Sequence, residues 1–295
     1  MKTMNITLRT VTPLFLGGAD MQAELRPPSI KGALRFWFRF AEGARQNGDS
    51  VKIKTEEDRL FGSTDKGTGL FNLRLQKIME AEQEKSKYLW PIEIGYMGYG
   101  PVTYNKEFKK FVPSRSFFDA NKEINFDLIF WPRATDHDIQ RIYESLWLWT
   151  HLGGFGSRAR RGWGSLELVD PKEGYAPQPV NTSDKDALKK AINQGIKKIV
   201  GEDIPTCAEF THWFSGAEIR VPYIADKWEQ AMEWMGRKFI EYRSNYSKKT
   251  VPSGQNKYPC WSDHDLVYNY LRPIGRSYVH PLKAPARVIF GLPQN

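Results

Sequence analysis

The order of segments with strand-like and helix-like hydrophobic patterns constrains the fold of this chain more than any single motif. Four segments alternate apolar and polar residues and are predicted strands: residues 5–16, 69–75, 124–131 and 164–169. Two segments, 29–43 and 135–152, space their apolar residues as a helix does, and a charged stretch at 77–87 predicts an exposed helix. Without this exposed helix, the order is the β-α-β-β-α-β of the split βαβ arrangement. We therefore predict an α+β protein whose N-terminal domain is ferredoxin-like, with RRM-like topology.

A change of composition follows the last of these strands. Residues 171–184 are rich in Pro, Gly, Asn, Thr and Ser, which is typical of a linker. We therefore predict a ferredoxin-like domain over 1–170, a linker over 171–184 and a divergent, more helical second domain over 185–295. Its predicted elements, in the order helix, strand, helix, helix, strand, lie at 185–200, 218–222, 226–242, 263–271 and 287–290. Because the chain stops directly after a strand, we expect this second domain to be either incomplete at its C-terminus or closed by a partner.

The composition indicates an acidic partner. The 295 residues include 43 Lys and Arg against 34 Asp and Glu, a net charge of +9, and 14% of them are aromatic. Basic side chains bind phosphates and aromatic rings stack on bases, so nucleic acid is the leading partner. The sequence holds no run of about 18 apolar residues and no signal-peptide pattern, and its two cysteines are too few for a disulfide framework. We therefore expect a cytoplasmic protein without a membrane anchor.

The strongest local signal is the glycine- and arginine-rich stretch at 153–165, GGFGSRARRGWGS. Glycines let backbone amides approach a ligand, three arginines supply forked phosphate donors, and two aromatic rings are available to stack on bases. The stretch follows a helix and precedes a strand, so it does not fit the dinucleotide-binding pattern, and it lacks the Gly-Lys-Ser/Thr of a P-loop. The predicted nucleic-acid contacts are Gly154, Phe155, Gly156, Ser157, Arg158, Arg160, Arg161, Gly162 and Trp163. The alternative is a flexible turn with solvated arginines.

The first predicted helix carries a second basic feature. Lys31, Arg35 and Arg39 recur every four residues and form a basic stripe beside the apolar one. Ser29 stands where an N-cap belongs, so a phosphate bound over this cap would meet free backbone amides, the Ser29 hydroxyl and Lys31. The alternative is a solvated basic face that binds nothing.

Three segments together resemble a known family: TPLFLGG at 12–18, RPPSIKGALRFWFR at 26–39 and GGFGSRARRGWGSL at 153–166. They are similar to the RAMP superfamily of CRISPR effector proteins, and within it to the subunit-one family of the type III-B Cmr complex. A glycine-rich loop after the second helix of a ferredoxin-like fold marks the superfamily, and the second segment indicates the subunit. GYMGYG at 95–100 and RVIFGLP at 287–293 also resemble the family, whose members usually continue beyond the last of these.

The resemblance implies a non-catalytic, RNA-binding subunit of an antiviral effector complex, placed toward the 3′ end of the guide RNA and helping to hold guide and target. The implied partners are the CRISPR guide RNA, single-stranded target RNA and the other Cmr subunits, and a different subunit cleaves RNA. The glycines, serine and arginines of the loop carry over as binding residues. The region of the first helix adds Arg26, Ser29, Lys31, Arg35, Trp37 and Arg39. Neither a cofactor nor a metal is expected.

Two residues are alternatives for catalysis by a RAMP endoribonuclease that processes guide RNA. Asp20 is a candidate for metal-assisted attack on RNA, although a carboxylate in such a turn more often caps backbone amides. His151 is a candidate general base, although a histidine at a helix C-terminus is more simply a partner of the helix dipole. A protein-interaction subunit with little RNA affinity of its own is a further alternative.

Two cysteines and two histidines form a formal metal-ligand quartet: Cys207, His212, Cys260 and His264. Their spacings only loosely resemble those of a zinc finger, and nothing in the sequence requires the two pairs to meet. We expect buried cysteines and surface histidines instead.

Overall fold

A computed structural model gives the fold and describes residues 1–18, 20–77, 79–82, 87–177, 183–205 and 210–245. The chain forms two compact units, Met1–Trp234 and Met235–Asn295. The first unit contains the strands and the glycine- and arginine-rich stretch at 153–165. The described part of the second unit, residues 235–245, is helical. The domain boundary at 171–184 stays a prediction.

The described residues form eight strands and six α-helices. In chain order, the strands are β1 (Lys2–Thr10), β2 (Gly62–Ser63), β3 (Gly67–Thr68), β4 (Phe71–Leu75), β5 (Val102–Asn105), β6 (Lys110–Pro113), β7 (Glu123–Phe130) and β8 (Leu166–Leu168). The helices are α1 (Pro27–Arg45), α2 (Ser50–Phe61), α3 (Ile92–Met97), α4 (Asp136–Leu152), α5 (Lys185–Val200) and α6 (Trp228–Asn245). A short 3-10 turn, Ala159–Arg161, lies between α4 and β8.

Four strands form the central sheet in the order β4-β7-β1-β8, with every neighbouring pair antiparallel. The register places Ile6 of β1 opposite Phe126 of β7, and Leu8 of β1 opposite Leu168 of β8. In the chain, α1 lies between β1 and β4, and α4 lies between β7 and β8. The prediction of an α+β, ferredoxin-like domain is therefore confirmed.

One face of the sheet forms the core with α1 and α4. Side chains at alternate positions of β1 and β7, such as Ile6, Leu8 and Phe126, are almost completely buried. They belong to one apolar cluster with the stripes of α1 and α4, which include Leu34 and Leu146. The two periodicities in the sequence therefore arise from burial against a single core.

The opposite face of the sheet is polar. Asp127 of β7 is 1% exposed and accepts hydrogen bonds from Arg74 of β4 (2.7 Å) and Asn5 of β1 (2.6 Å). Burial raises the pKa of Asp127, but these hydrogen bonds outweigh burial and lower the pKa overall. None of the outward-facing residues in the four strands is aromatic. This face therefore lacks the base-stacking platform of an RRM.

The two long helices begin differently. In α4, the Thr135 hydroxyl accepts a hydrogen bond from Asp138 N (3.2 Å), and the Asp138 carboxylate accepts one from Thr135 N (3.0 Å), which confirms the predicted start. The predicted cap of α1 at Ser29 is wrong, because α1 begins at Pro27 and its N-cap is Arg26. The fixed φ of proline suits the first helical turn, where its missing N–H costs nothing. The two consecutive prolines therefore start the helix.

Some elements of the first unit differ from the prediction. The sequence pattern does not reveal α2, which Asp49 caps by accepting hydrogen bonds from two backbone amides, nor the β5–β6 hairpin. The predicted helix at 77–87 is wrong for the described residues of that range, which contain no α-helix. There Glu82 N donates a hydrogen bond to the backbone oxygen of Phe117 (2.7 Å), so the chain pairs as an extended segment.

The second half of the chain is partly as predicted. The helix expected at 185–200 matches α5, and the one at 226–242 corresponds to α6. The strand expected at 218–222 is wrong, because these residues pair with no described strand. Two predicted elements lie outside the described residues: 263–271 and 287–290. In the described part of the chain, no helix combines the length and apolar composition needed to cross a membrane.

Candidate nucleic-acid interface

The glycine- and arginine-rich loop, residues 153–165, is fixed to the segment that follows β1. Ser157 N donates a hydrogen bond to Phe15 O (2.8 Å), and Gly164 N donates one to Pro13 O (3.0 Å). The TPLFLGG segment and this loop, which are distant in sequence, therefore lie against each other. Hydrogen bonds near both ends hold the loop backbone.

Two glycines allow the loop to pack this closely. Gly156 has a φ of 77°, and a Cβ atom on it would lie 2.4 Å from Phe15 O. Gly164 has a φ of 65°, and its Cβ would lie 2.0 Å from Phe155 O. Glycine adopts such left-handed conformations at little cost, and any side chain would clash with backbone here. At these two positions glycine serves packing of the loop against its own chain, whereas the sequence suggested approach to a ligand.

The two aromatic rings of the loop point into the protein. Trp163 is fully buried and Phe155 is 5% exposed. The centre of the Trp163 ring lies 5.3 Å from that of Phe15, and the Phe155 ring packs edge-on against Trp149 at 5.0 Å. The expectation that Phe155 and Trp163 stack on bases is wrong for this structure, because a base has no access to either ring.

Trp163 belongs to a group of rings that we call the loop-support cluster: Phe15, Trp90, Phe117 and Trp163. Neighbouring ring centres in this cluster lie 5.1 to 6.5 Å apart. All four side chains are 6% exposed or less. The cluster is a second apolar centre, and it holds together the loops that carry the arginines.

The loop presents its arginines at the surface. Arg158 and Arg160 are exposed, and Arg161 is partly buried. Arg158 has a left-handed φ of 61°, and its Nε donates a hydrogen bond to Tyr99 O (2.7 Å). This bond brings the GYMGYG segment next to the loop. Among the described residues, neither Arg158 nor Arg160 forms an ion pair with a carboxylate.

Arg158 also lines a pocket with a volume of about 360 Å³. Further lining residues are Met21, Gly100, Ser114, Arg115 and Ser157. Arg115 Nη2 donates a hydrogen bond to Ser157 Oγ (2.5 Å), and its buried Nε has no hydrogen-bond partner among the described residues. Burial lowers the pKa of Arg115, although a guanidinium group stays charged in proteins. The sequence prediction missed Arg115, because it lies in an irregular segment that no periodicity or glycine marks.

The basic stripe of α1 is engaged within the protein. Arg35 and Arg39 both contact the carboxylate of Glu57 in α2, at 3.4 and 3.3 Å, and Glu57 is 4% exposed. Lys31 Nζ lies 5.2 Å from the centre of the Phe71 ring. Burial lowers the pKa of Lys31, and the nearby positive charge of Arg35 lowers it further. These contacts tie α1 to α2 and β4, so the stripe has a structural role, and its RNA contacts stay a prediction.

The other predicted residues of this region take separate positions. Trp37 touches the start of the loop, since a Cβ on Gly153 would lie 2.5 Å from its ring. Ser29 lies in the first turn of α1, and the Arg26 guanidinium lies 3.6 Å from the carboxylate of Glu24. Trp37 thus links the first helix to the start of the loop.

Both candidate catalytic residues have structural partners. The Asp20 carboxylate accepts a hydrogen bond from Gln22 N (3.2 Å), as expected of a residue that caps a turn. His151 Nδ1 lies 2.8 Å from Trp147 O, and its ring stacks on that of Trp147 with 4.0 Å between centres. Burial lowers the pKa of His151 despite this hydrogen bond, which favours a neutral imidazole at pH 7.

The formal metal quartet has one described member. His212 is 5% exposed rather than at the surface, because it packs beside Gly43 of α1 and its Nδ1 lies 2.8 Å from Trp213 O. The other three members lie outside the described residues: Cys207, Cys260 and His264. Within the described ranges, no three His, Cys, Asp or Glu side chains are grouped to hold a metal ion.

Comparisons with known proteins agree with this fold. The sequence model of the RAMP superfamily matches residues 7–167. The CRISPR system Cmr subunit Cmr1-2 of Pyrococcus furiosus is 31% identical over 176 residues, which cover 55% of this chain and 92% of that protein. Subunit Cmr1-1 of the same organism is 31% identical over 154 residues, which cover 50% of this chain and 41% of that protein.

Two solved structures share the fold. The crystal structure of Cmr1 from P. furiosus in its apo form has a TM-score of 0.60 at 19% identity and covers 88% of this chain and 79% of that one. A chain of the cryo-EM structure of Type III-B Cmr-beta bound to cognate target RNA has a TM-score of 0.51 at 14% identity, covering 93% and 80%. Together with the family match and the curated relatives, these observations establish that the chain belongs to the RAMP superfamily and is a homologue of the Cmr1 subunits of CRISPR Cmr systems.

Proposed function

We propose that this chain is a non-catalytic, RNA-binding subunit of a type III-B Cmr effector complex, which helps to hold the guide RNA, toward its 3′ end, and the target RNA paired with it. The observation that supports this most is the 31% identity over 92% of a Cmr1 subunit. The partners are then the guide RNA, single-stranded target RNA and the other Cmr subunits. The structural contacts of Asp20 and His151 favour a non-catalytic role.

The glycine- and arginine-rich loop supplies the charge that such a role needs. Arg158 and Arg160 are exposed on a backbone that hydrogen bonds hold in place, and no described carboxylate neutralises them. Clustered cations repel each other, and RNA phosphates relieve that repulsion while accepting forked hydrogen bonds from the guanidinium groups.

In this proposal, exposed rings outside the loop take the place of its buried rings as stacking groups. Tyr99 is 69% exposed, and Tyr104 and Phe108 on the β5–β6 hairpin are 49% and 46% exposed. Because the outer face of the sheet carries no aromatic residue, we infer that RNA follows the loops instead. Base pairing between guide and target then reads the sequence, and the protein discriminates little.

A salt series with end-labelled single-stranded RNA tests this proposal. The variant Arg158→Ala/Arg160→Ala/Arg161→Ala should flatten the log–log salt dependence of RNA binding by about 0.7 per lost phosphate contact, or about two units in all. A matched control removes three exposed lysines of α5, Lys190, Lys197 and Lys198, and so makes the same change in net charge. It should keep the slope of the wild type.

The recovered RNA is also run on a denaturing gel. Intact RNA together with a flattened slope in the arginine variant would support the proposal. An unchanged slope would contradict the role of the loop, and cleavage that disappears in His151→Ala or Asp20→Ala would contradict the non-catalytic role. RNA binding that arises only after other Cmr subunits are added would favour the protein-interaction alternative.

A further inference from the structure

The pocket beside Arg158 has the features of a site for a single anionic group. Its polar lining comes from separate segments: Gly100 and Ser114 flank the β5–β6 hairpin, Arg115 follows it, and Ser157 and Arg158 belong to the glycine- and arginine-rich loop. On the basis of the proposed function, we propose that this pocket binds one phosphate group of an RNA strand, through the guanidinium groups of Arg115 and Arg158 and the hydroxyl of Ser157.

The charge of Arg115 is the first argument for this site. Two other arginines with low exposure each contact two carboxylates: Arg45 contacts Glu42 and Glu144, and Arg141 contacts Glu42 and Glu56. Arg115 forms no ion pair with any described carboxylate, and its buried Nε donates no hydrogen bond there. Arg115 is partly buried, and a charge partly withdrawn from water without a counter-charge carries a desolvation cost. A bound phosphate would supply that counter-charge.

The backbone around the pocket is the second argument. Met21 and Arg158 have φ values of 63° and 61°, and Gly100 has a φ of 110°. A left-handed conformation is uncommon for residues with large side chains, and it persists where the surrounding structure enforces it, often at binding sites. A Cβ on Gly100 would lie 3.2 Å from Arg158 Nη2, so glycine leaves room for the guanidinium group at the pocket.

The chemistry of the lining selects the ligand. Two guanidinium groups offer forked donors that match the oxygens of a phosphate. Ser157 Oγ accepts a hydrogen bond from Arg115 and keeps its own proton to donate to a ligand. None of the described residues that line the pocket is acidic, so the lining offers no carboxylate to attract a cation. Its volume of about 360 Å³ lies in the range of roughly 300 to 1,000 Å³ found for small-molecule sites, so the sugar that carries the phosphate also has space.

The RNA arm of the test uses Arg115→Gln, Arg158→Gln and the double variant in the salt series described above. If both arginines hold the same phosphate, each single variant should flatten the slope by about 0.7, and the double variant by the same 0.7 rather than by twice that amount. Arg133→Gln is the matched control, because Arg133 is exposed and, like Arg158, donates to backbone carbonyls. Additive losses of slope in the double variant would mean two separate phosphates and would overturn the single-phosphate site.

A second arm uses inorganic phosphate and does not depend on RNA. Thermal unfolding is followed in sodium phosphate and in sodium chloride of equal ionic strength, because a ligand that binds only the folded protein raises its melting temperature. Phosphate should stabilise the wild type and Arg133→Gln more than it stabilises Arg115→Gln or Arg158→Gln. Since Arg158 is exposed, its variant tests the site even if Arg115→Gln does not fold.

The RNA arm and the phosphate arm distinguish a failure of the phosphate site from a failure of the proposed function. A slope effect without stabilisation by inorganic phosphate would support a site that requires the phosphodiester of RNA. Stabilisation by phosphate in a wild-type protein that binds no RNA would support the pocket and contradict the proposed function. Wild-type behaviour of both pocket variants in both arms would overturn the site and leave RNA binding elsewhere on the protein standing.

Discussion

Replacing Gly156 with alanine tests how closely the glycine- and arginine-rich loop approaches the TPLFLGG segment. The φ of Gly156 is 77°, and a residue with a Cβ atom pays about 1–2 kcal/mol in this conformation. The added Cβ would also lie 2.4 Å from Phe15 O and 3.0 Å from Leu14 Cδ1. Forcing an extra methyl group into a filled space costs about 1–3 kcal/mol more. We therefore expect Gly156→Ala to lower the free energy of unfolding by about 2–5 kcal/mol.

Gly174→Ala is the matched control for the backbone part of this cost. Gly174 has a φ of 83°, but apart from its two chain neighbours no atom of the described residues lies within 4 Å of its Cβ position. This variant should therefore lose only about 1–2 kcal/mol. Urea unfolding followed by circular dichroism gives both free energies by linear extrapolation, and an unchanged m-value confirms that the same transition is compared. Equal losses in the two variants would refute the close approach of the loop.

Two further predictions concern buried groups, both measured by urea unfolding. Trp163→Ala should lower the free energy of unfolding by about 3–5 kcal/mol. Trp163→Phe should lower it clearly less, because Trp163 Nε1 has no hydrogen-bond partner among the described residues to lose. Equal losses in the two variants would contradict this reasoning. Burial raises the pKa of Asp138, but hydrogen bonds from Arg59 and Thr135 outweigh burial and hold the pKa at about 2, below the ordinary 3.8. This carboxylate stabilises the fold above about pH 4, and the contribution is lost as the pH falls through about 2. The free energy of unfolding should therefore fall less steeply with acid in Asp138→Asn, and identical pH profiles would contradict the pKa shift.

The sequence predicts the central sheet and its long helices because burial against one core repeats along the chain. Apolar residues recur every second position in β1 and β7, and at helical spacing in α1 and α4, since each element buries one face. The predicted ends of α5 are also right, because Asp184 and Gly201 provide local signals for the start and the stop. Such signals depend only on residues close in sequence.

The candidate site is harder to predict because its contacts join distant segments. Phe155 and Trp163 are aromatic residues in a basic loop, which suggests base stacking. Their burial depends on tertiary contacts, because Trp163 packs against Phe15 and Phe155 packs against Trp149. Arg115 shows the reverse case. Nothing near it in the sequence indicates a role in binding, and only its hydrogen bond to Ser157 places it beside the loop. The sequence therefore locates the loop, whereas the tertiary structure decides which of its side chains a ligand can reach.

The loop-support cluster has a consequence for the thermodynamics of binding. Ordering a flexible residue costs about 1–2 kcal/mol of backbone conformational entropy, which a mobile loop loses when it closes on a ligand. Trp163 and its three neighbours hold the arginine-bearing loops in place in the unbound protein. Folding therefore already includes this entropic cost. In the RNA binding that we propose, more of the electrostatic attraction between arginines and phosphates would then remain as binding affinity.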